Sequence, residues 1–273
     1  MRATLAEVLQ PALAGGYAVA GLVVLGWEDA VAYVAAAEAE GRAVILQAGP
    51  GARAHTPLPI LAAMFRHLAD HASVPVVAHL DHGRDLDEVR QALDCGFTSV
   101  MYDGSALALA ENIARTAEVV ALAHAAGVSV EAELGFVGYA GGQVSQGSDP
   151  AEAAAFWRAT GVDALAVSVG TVHLMAAPGA ALDWARLRAV EAACPGLPLV
   201  LHGGSGLGGD LRRQVAQTTA VCKINVGTEL RQAFGAALRA GLVDPAVFDR
   251  NEILRGVIGP ARDAARRVIQ SCG

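Results

Sequence analysis

The chain repeats one pattern eight times: a short apolar run, then polar or glycine residues, then an alanine-rich segment with helical spacing. Near-continuous apolar strands separated by helices are typical of a parallel sheet that is covered on both faces. Eight such units in 273 residues, without a linker or charge block between them, predict a single-domain (β/α)8 TIM barrel over residues 1–273. An open, doubly wound sheet is the structural alternative. The runs read YAVAGLVVL, AVILQA, VPVVAHL, SVMYD, VSVEAEL, ALAVSVG, LPLVLHG and VCKINVG.

Composition and charge narrow the range of partners and compartments. The formal net charge of −7 argues against nucleic acid and anionic membranes, and a small anionic ligand would need a local positive site. The four cysteines are scattered without a CxxC pair, which suits reduced thiols that serve packing. Glu7 interrupts the amphipathic N-terminus, which therefore does not resemble a signal peptide, and YAVAGLVVLGW is too short to span a bilayer. We expect a cytoplasmic protein.

Polar side chains gather where the predicted strands end, which is where barrels of this kind carry their catalytic groups. His82, His173 and His202 follow the third, sixth and seventh strands. Three imidazoles with an open fourth position are typical of a catalytic zinc site, although a plain structural role is the alternative for any single histidine. The other polar residues at strand ends are His79, Asp81, Asp103, Glu131, Glu133 and Asn225.

Two of these polar residues are carboxylates on one strand. Glu131 and Glu133 are two residues apart, so they share one face of the fifth strand. Buried carboxylates without partners are very costly, so we expect Glu131 and Glu133 to lie at the solvent-accessible or metal-binding end of the barrel. Glu133 could supply a metal ligand, and Glu131 could instead orient a ligand histidine.

Glycine-rich loops follow the last two predicted strands. HGGSG spans residues 202–206 and NVGT spans residues 225–228. Backbone N–H groups and hydroxyls in these loops could cradle a phosphate, which is the usual role of this part of the barrel. The candidate substrate- and phosphate-binding residues are Gly203, Gly204, Ser205, Asn225, Gly227 and Thr228.

Taken together, these motifs resemble the class II, zinc-dependent ketose-bisphosphate aldolases, which include the fructose-1,6- and tagatose-1,6-bisphosphate enzymes. HLDHG, MYDGS, VEAELG, GTVH, LHGGSGL and KINVGTEL occur in the family's order and spacing, and PARDAARRV resembles its closing helix. The resemblance covers nearly the whole chain. It implies an enzyme that splits or joins a ketose (bis)phosphate, a small-molecule sugar phosphate, through a metal-stabilised enediolate. The two fragments would be a dihydroxyacetone-phosphate-like ketone and an aldehyde.

The resemblance also implies roles for individual residues. Asp81 would be the acid/base that serves the aldehyde-derived oxygen, and Asn225 would contact the enediolate. We expect one catalytic Zn²⁺, leave a monovalent cation open as an addition, and expect a homo-oligomer, either a dimer or a tetramer. The implied metal positions are His82, His173 and His202 as zinc ligands, Glu133 as an alternative ligand, and Asp103 near a second metal.

Two segments at the ligand end differ from the family pattern. FVGYAGGQVSQGS has no Asp or Glu, whereas the family carries an acidic residue there that handles the proton on the ketose fragment. Tyr139 or Gln143 is a candidate substitute, and Asp81 is a third option for both transfers. Leu174 follows His173 where the family tends to have glycine.

Two further differences concern the rest of the substrate site. The first strand reads GLVVLG, without the asparagine that the family places after an aromatic residue. The arginine that meets the family's second phosphate is replaced, or shifted to Arg250 or Arg255. A phosphate without its guanidinium loses a charge-assisted pair, so we expect substrates whose aldehyde half lacks a phosphate.

Other functions remain open at this point. A Schiff-base aldolase needs a lysine, and the single lysine of the chain, Lys223, lies in the eighth strand; the resemblance favours a structural or phosphate-side role for it. A barrel metallohydrolase or isomerase that uses zinc-bound water would keep the histidines. A non-catalytic sugar-phosphate-binding descendant would not need Asp81.

Overall fold

The eight predicted strands are present and close into a barrel. The computed structural model describes residues 1–273, and its parallel strands follow one another around the barrel in chain order. The first strand pairs with both the second and the eighth, which excludes the open-sheet alternative. The strands are β1 Val19–Val23, β2 Val44–Ala48, β3 Val76–Gly83, β4 Ser99–Tyr102, β5 Ser129–Leu134, β6 Ala164–Val167, β7 Leu199–Leu201 and β8 Val221–Val226.

Helices surround the barrel and bury the outward-facing side chains of the strands. The largest apolar cluster lies in this layer between strands and helices. None of the helices combines the length and the apolarity that a membrane crossing requires. They are α1 Leu5–Gly15, α2 Trp27–Glu40, α3 Pro50–His55, α4 Leu58–His71, α5 Leu86–Cys95, α6 Leu109–Ala125, α7 Pro150–Thr160, α8 Trp184–Ala193, α9 Gly209–Thr218, α10 Thr228–Gly241 and α11 Arg250–Ser271, with a 3₁₀ turn at Gly204–Gly206.

Helix α1 closes the amino-terminal end of the barrel. It begins with a capping box in which the Thr4 hydroxyl accepts from the Glu7 N–H and the Glu7 carboxylate accepts from the Thr4 N–H. Leu5 and Leu9 of this helix are fully buried against the inward-facing apolar residues of the strands. Burial of each leucine is worth about 1.5–3 kcal/mol. Only the carboxyl end of the barrel is therefore left open for a ligand.

Candidate active site

A cavity of about 250 Å³ opens at the carboxyl ends of the strands. It lies where the strand-end rule predicts a site, and most of the predicted residues border it. The lining residues predicted from the sequence are Asp81, His82, Tyr139, His173, Leu174, Gly203, Ser205, Asn225, Gly227 and Thr228.

A bulge at the end of β3 brings two neighbouring residues into this cavity. Consecutive residues of a regular strand face opposite sides, yet Asp81 and His82 both line the cavity. The register between β3 and β4 slips by one residue between Leu80 and Gly83, and His82 has a left-handed φ of 51°. The extra residue re-aims the chain and lets both side chains point to the same site.

Arg53 holds the bulge in place from outside the strand. Its guanidinium donates to the carbonyls of Asp81 at 2.6 Å and His82 at 3.1 Å. The same side chain also donates to the Ala48 carbonyl and pairs with Glu88 at 2.7 Å. The unusual backbone of the bulge is thus tied to β2 and α5, which stabilises it without a ligand.

The three predicted histidines converge. The ring centroids of His82 and His202 lie 4.7 Å apart, and His173 is 5.3 Å from the first and 5.4 Å from the second. One ring nitrogen of each lies within 4.8 Å of the others, as metal ligation requires. His202 Nδ1 is buried and has no hydrogen-bond partner. An orphaned imidazole nitrogen inside a histidine cluster fits a divalent metal such as zinc.

The two predicted carboxylates adjoin this cluster. Asp103 Oδ2 accepts from His82 Nδ1 at 2.8 Å, and Glu133 Oε2 lies 3.8 Å from the same nitrogen and 3.7 Å from His202 Nδ1. Glu133 Oε2 is buried without a partner, and burial raises the pKa of that carboxyl. His82, Asp103 and Glu133 form a second group that could hold a metal. The two groups share His82, so the structure supports the alternative-ligand interpretation by proximity.

A buried ionic network lies next to the histidines, inside the barrel. Lys223 Nζ donates to Glu131 Oε2 at 2.5 Å and lies 3.2 Å from His79 Nε2, while His202 Nε2 lies 3.1 Å from Glu131 Oε1. Lys223 and Glu131 are both fully buried. Glu131 is therefore placed to orient His202. The amino group of Lys223 is occupied by an ion pair, which is unfavourable for imine chemistry.

The glycine-rich loop after β7 has a conformation that larger residues would disturb. Gly203 has φ 68°, and a Cβ there would lie 2.3 Å from the Val172 carbonyl oxygen. Arg212 donates to the Gly204 carbonyl at 3.1 Å and pairs with Glu229 at 2.6 Å. Gly204 itself is not part of the cavity lining, because it packs against β8 with its carbonyl turned to Arg212. Ser205 does line the cavity.

The loop of residues 136–148, which stands where the family carries its acidic proton-transfer residue, contacts the histidine cluster through Tyr139. The Tyr139 ring stacks on His173, with centroids 4.9 Å apart, and its hydroxyl carries a pKa that burial raises. Gln143 lines a neighbouring cleft and not the histidine cavity. Leu174, predicted to stand at a glycine position, has φ 62° and is half exposed at the cavity. A left-handed backbone explains why glycine suits this position.

Sequence reasoning missed several residues that border or support the site. Gln47 Nε2 donates to Asp81 Oδ1 at 2.8 Å, and Gln47 is the last polar residue of β2, so the strand-end rule could have found it. Arg53 and Arg231 come from helices, where that rule gives no signal. Gly21 makes room for the amide of Gln47, because a Cβ there would lie 2.3 Å from its Oε1.

Comparisons with known proteins place this architecture among aldolases. Residues 3–273 match the family model described as fructose-bisphosphate aldolase class-II. The chain is similar to the crystal structure of the YdjI aldolase from Escherichia coli K12, with 31% identity, a TM-score of 0.87, and coverage of 100% of this chain and 98% of that one. A putative fructose-1,6-bisphosphate aldolase from Coccidioides immitis has 26% identity, a TM-score of 0.87, and 98% and 96% coverage. Fructose-bisphosphate aldolase from Campylobacter jejuni shares the fold, with 22% identity, a TM-score of 0.81, and 99% and 95% coverage.

Proposed function

The chain belongs to the class II fructose-bisphosphate aldolase family, which makes it a lyase, and from this premise we propose that it is a zinc-dependent aldolase acting on a ketose phosphate. The observation that carries the proposal is the convergence of His82, His173 and His202 at the carboxyl ends of the strands, where His82 and His173 share a cavity with Asp81. The reaction is the reversible cleavage of the ketose into a dihydroxyacetone-phosphate-like ketone and an aldehyde.

The three histidines would hold the metal, with Glu133 as an alternative ligand and Asp103 close to a second position. The orphaned His202 Nδ1 and Glu133 Oε2 support this assignment, because buried polar atoms without partners are costly unless a ligand satisfies them. When bound, zinc supplies a Lewis acid that stabilises negative charge on the oxygens of the ketone fragment.

Asp81 accepts the proton from the substrate hydroxyl during cleavage and returns it during condensation. Burial raises the pKa of Asp81, but the charges of His82, His202 and Lys223 outweigh burial and leave that pKa below its usual value. The carboxylate is therefore ionised at neutral pH and ready to accept a proton. The amide of Gln47 holds Oδ1 at 2.8 Å and fixes its direction.

Two further groups face the ketone fragment. Asn225 lines the cavity, and its amide N–H groups can donate to the substrate oxygens. The Tyr139 phenol keeps its proton because burial raises its pKa, and it can donate that proton to the ketose-fragment carbon. The ketone's phosphate lies in the loops of Gly203, Ser205 and Thr228, which border the same cavity.

We place an aldehyde half without a phosphate beside residues 49–52, which line the cavity next to Asp81 and include no cationic side chain. Arg250 and Arg255 are exposed on α11 and do not line the cavity. We also propose a cytoplasmic location, supported by four free thiols.

A homo-oligomer, dimer or tetramer, is the assembly we propose. Val243 and Phe248, which are 79% and 87% exposed, support it, because large exposed apolar side chains in one segment are typical of association surfaces.

The test combines metal analysis with a substrate screen. Purified protein is assayed for zinc, stripped with a chelator, reloaded, and supplied with ketose mono- and bisphosphates while the release of triose phosphate is followed. We expect activity that is lost with the metal and restored by zinc. His173→Ala should abolish both metal binding and cleavage, and His67→Ala, an exposed histidine on α4, serves as the matched control. Full activity in verified zinc-free protein, or borohydride trapping of substrate on Lys223, would contradict the proposal.

A further inference from the structure

His173 has the weakest local support of the three histidines that converge at the candidate metal site. His82 lies in β3 and His202 directly follows β7, whereas His173 lies in the loop after β6. His82 and His202 are buried, and His173 is only partly buried. Because residues on loops are held less firmly than residues on strands, the ring of His173 requires a support of its own to act as a metal ligand.

A carboxylate contacts each of the other two imidazole rings. Asp103 Oδ2 accepts from His82 Nδ1 at 2.8 Å, and Glu131 Oε1 lies 3.1 Å from His202 Nε2. Hydrogen bonds of this kind fix the orientation of a histidine that ligates a metal. The hydrogen bonds of His173 within the protein are made by its backbone, and neither nitrogen of its ring has a protein partner.

The ring of His173 is supported through its face instead. The Tyr139 ring stacks on it, with centroids 4.9 Å apart and an angle of 29° between the two planes. Aromatic rings attract each other at this separation. The other rings close to His173 are those of His82 and His202, both at 68°. Tyr139 is therefore the aromatic side chain that holds His173 from outside the histidine cluster.

Backbone hydrogen bonds place Tyr139 against His173. The two residues are paired in a parallel β-bridge, in which the His173 N–H donates to the Gly138 carbonyl at 2.8 Å and the Ala140 N–H donates to the His173 carbonyl at 2.9 Å. The Tyr139 N–H donates to the Gln143 carbonyl at 3.1 Å, which fixes Tyr139 within its own loop. The stack thus has a hydrogen-bonded frame on both sides.

We propose that the aromatic ring of Tyr139 positions the metal ligand His173, separately from any role of the Tyr139 hydroxyl in proton transfer. The inference rests on the proposed function, because it takes the three histidines as zinc ligands. The stacked ring restricts rotation of the His173 imidazole, so that its ligating nitrogen faces the other two histidines. Less side-chain freedom is then lost when a metal binds, and the affinity for the metal rises.

The experiment separates the ring of Tyr139 from its hydroxyl. Tyr139→Phe keeps the ring and removes the hydroxyl, whereas Tyr139→Leu removes both. Phe136→Leu is the matched control, because it removes an aromatic side chain from the same loop at a residue that lines the neighbouring cleft and not the histidine cavity.

Two readouts are measured for each variant. The first is the Kd of zinc, obtained by competition with a chromophoric chelator. The second is the NMR signal of the His173 ring in metal-free protein that carries labelled histidine, assigned by its absence in His173→Ala. The NMR signal reports the stack without any metal, since the ring current of Tyr139 shifts the protons of the ring beneath it.

We expect Tyr139→Leu to raise the zinc Kd about threefold to tenfold, the scale of one aromatic pair, and to move the His173 ring protons downfield. Tyr139→Phe and Phe136→Leu should both keep the zinc Kd of wild type. An unchanged Kd in Tyr139→Leu would overturn the proposal, as would an equal rise in Tyr139→Phe or in Phe136→Leu.

The two readouts also separate this inference from the proposed function. A wild-type protein that binds no zinc would contradict the proposed function. Unchanged His173 signals in metal-free Tyr139→Leu would contradict the stack itself, whether or not zinc binds. The two proposals can therefore fail separately.

Discussion

Replacing Lys223 with methionine tests whether the buried ion pair holds the centre of the barrel together. The substitution keeps an unbranched apolar side chain, slightly shorter than that of lysine, and removes the charge and the donors. Glu131, which is fully buried, then keeps its contact with His202 at Oε1 and loses its partner at Oε2. Stranding one charge of a buried pair costs about 3–5 kcal/mol.

The surroundings of Glu131 indicate that the loss in the free energy of unfolding lies in the lower part of this range of about 3–5 kcal/mol. His79 Nε2 lies 3.7 Å from Glu131 Oε2 and is the nearest group that could take over. Burial and the charge of Lys223 lower the pKa of His79 to about 3, so removal of Lys223 raises it and lets the imidazole share a proton. We therefore expect Lys223→Met to lower the free energy of unfolding by about 3–4 kcal/mol at pH 7.

The assay monitors urea unfolding by circular dichroism. A double variant isolates the contribution of the Lys223–Glu131 ion pair to the free energy of unfolding. Lys223→Met/Glu131→Leu removes both charges and should recover most of the loss, because an apolar replacement of a buried pair is often close to neutral. Arg90→Met, which breaks an exposed pair with Asp87, is the control and should leave the free energy of unfolding unchanged within error.

The same pair predicts a dependence on pH. Burial raises the pKa of Glu131, but the charge of Lys223 and the hydrogen bond with His202 outweigh burial and hold that pKa well below its usual 4.5. A carboxyl with a pKa depressed by folding contributes stability above its unfolded pKa, and this contribution is lost as the pH falls toward the folded value. The advantage of wild type over Lys223→Met should shrink below pH 4.5. A loss under about 1 kcal/mol at pH 7, with no recovery in the double variant, would refute the reasoning.

Three other changes probe the site. Asp81→Asn should keep the zinc and lose cleavage by at least about a hundredfold, measured by metal analysis and turnover; loss of the zinc instead would make Asp81 a ligand. Leu174→Gly should relieve a left-handed backbone and stabilise the protein by about 1 kcal/mol, or about 2–4 °C in Tm, whereas Leu174→Ala should not. Fructose 1-phosphate should have a higher kcat/KM than fructose 1,6-bisphosphate; a bisphosphate advantage that Arg250→Ala abolishes would show the expectation to be wrong.

The fold was predictable because each strand is an isolated apolar run whose length and flanks leave few alternatives. The convergence of His82, His173 and His202 was predictable for the same reason, since strand ends in a barrel share one rim. The bulge at Asp81 and His82 was not, because a one-residue slip of register depends on β4 and on Arg53 from another element. Local sequence does not encode such long-range contacts.

Other parts of the site illustrate the same limit. The left-handed backbone of Leu174 contradicts its local preference, and the preceding His173 is held by backbone hydrogen bonds with Gly138 and Ala140 of another loop. Arg231 lies one helical turn after Gly227, but only the three-dimensional arrangement shows that it borders the cavity. Residues placed by strand ends can be found from periodicity, whereas residues placed by tertiary contacts cannot.

The buried position of Lys223 also determines how the folded surface reacts. Of the 20 lysines and arginines only Lys223 is a lysine, and the other 19 are arginines. Because that single amine is fully enclosed by the barrel, acylating and amine-coupling reagents meet no lysine on the native surface. Modification of Lys223 must wait until the barrel opens, so its rate measures that opening directly. The enzyme thus contains a built-in chemical reporter of its own global unfolding, which needs no engineered label.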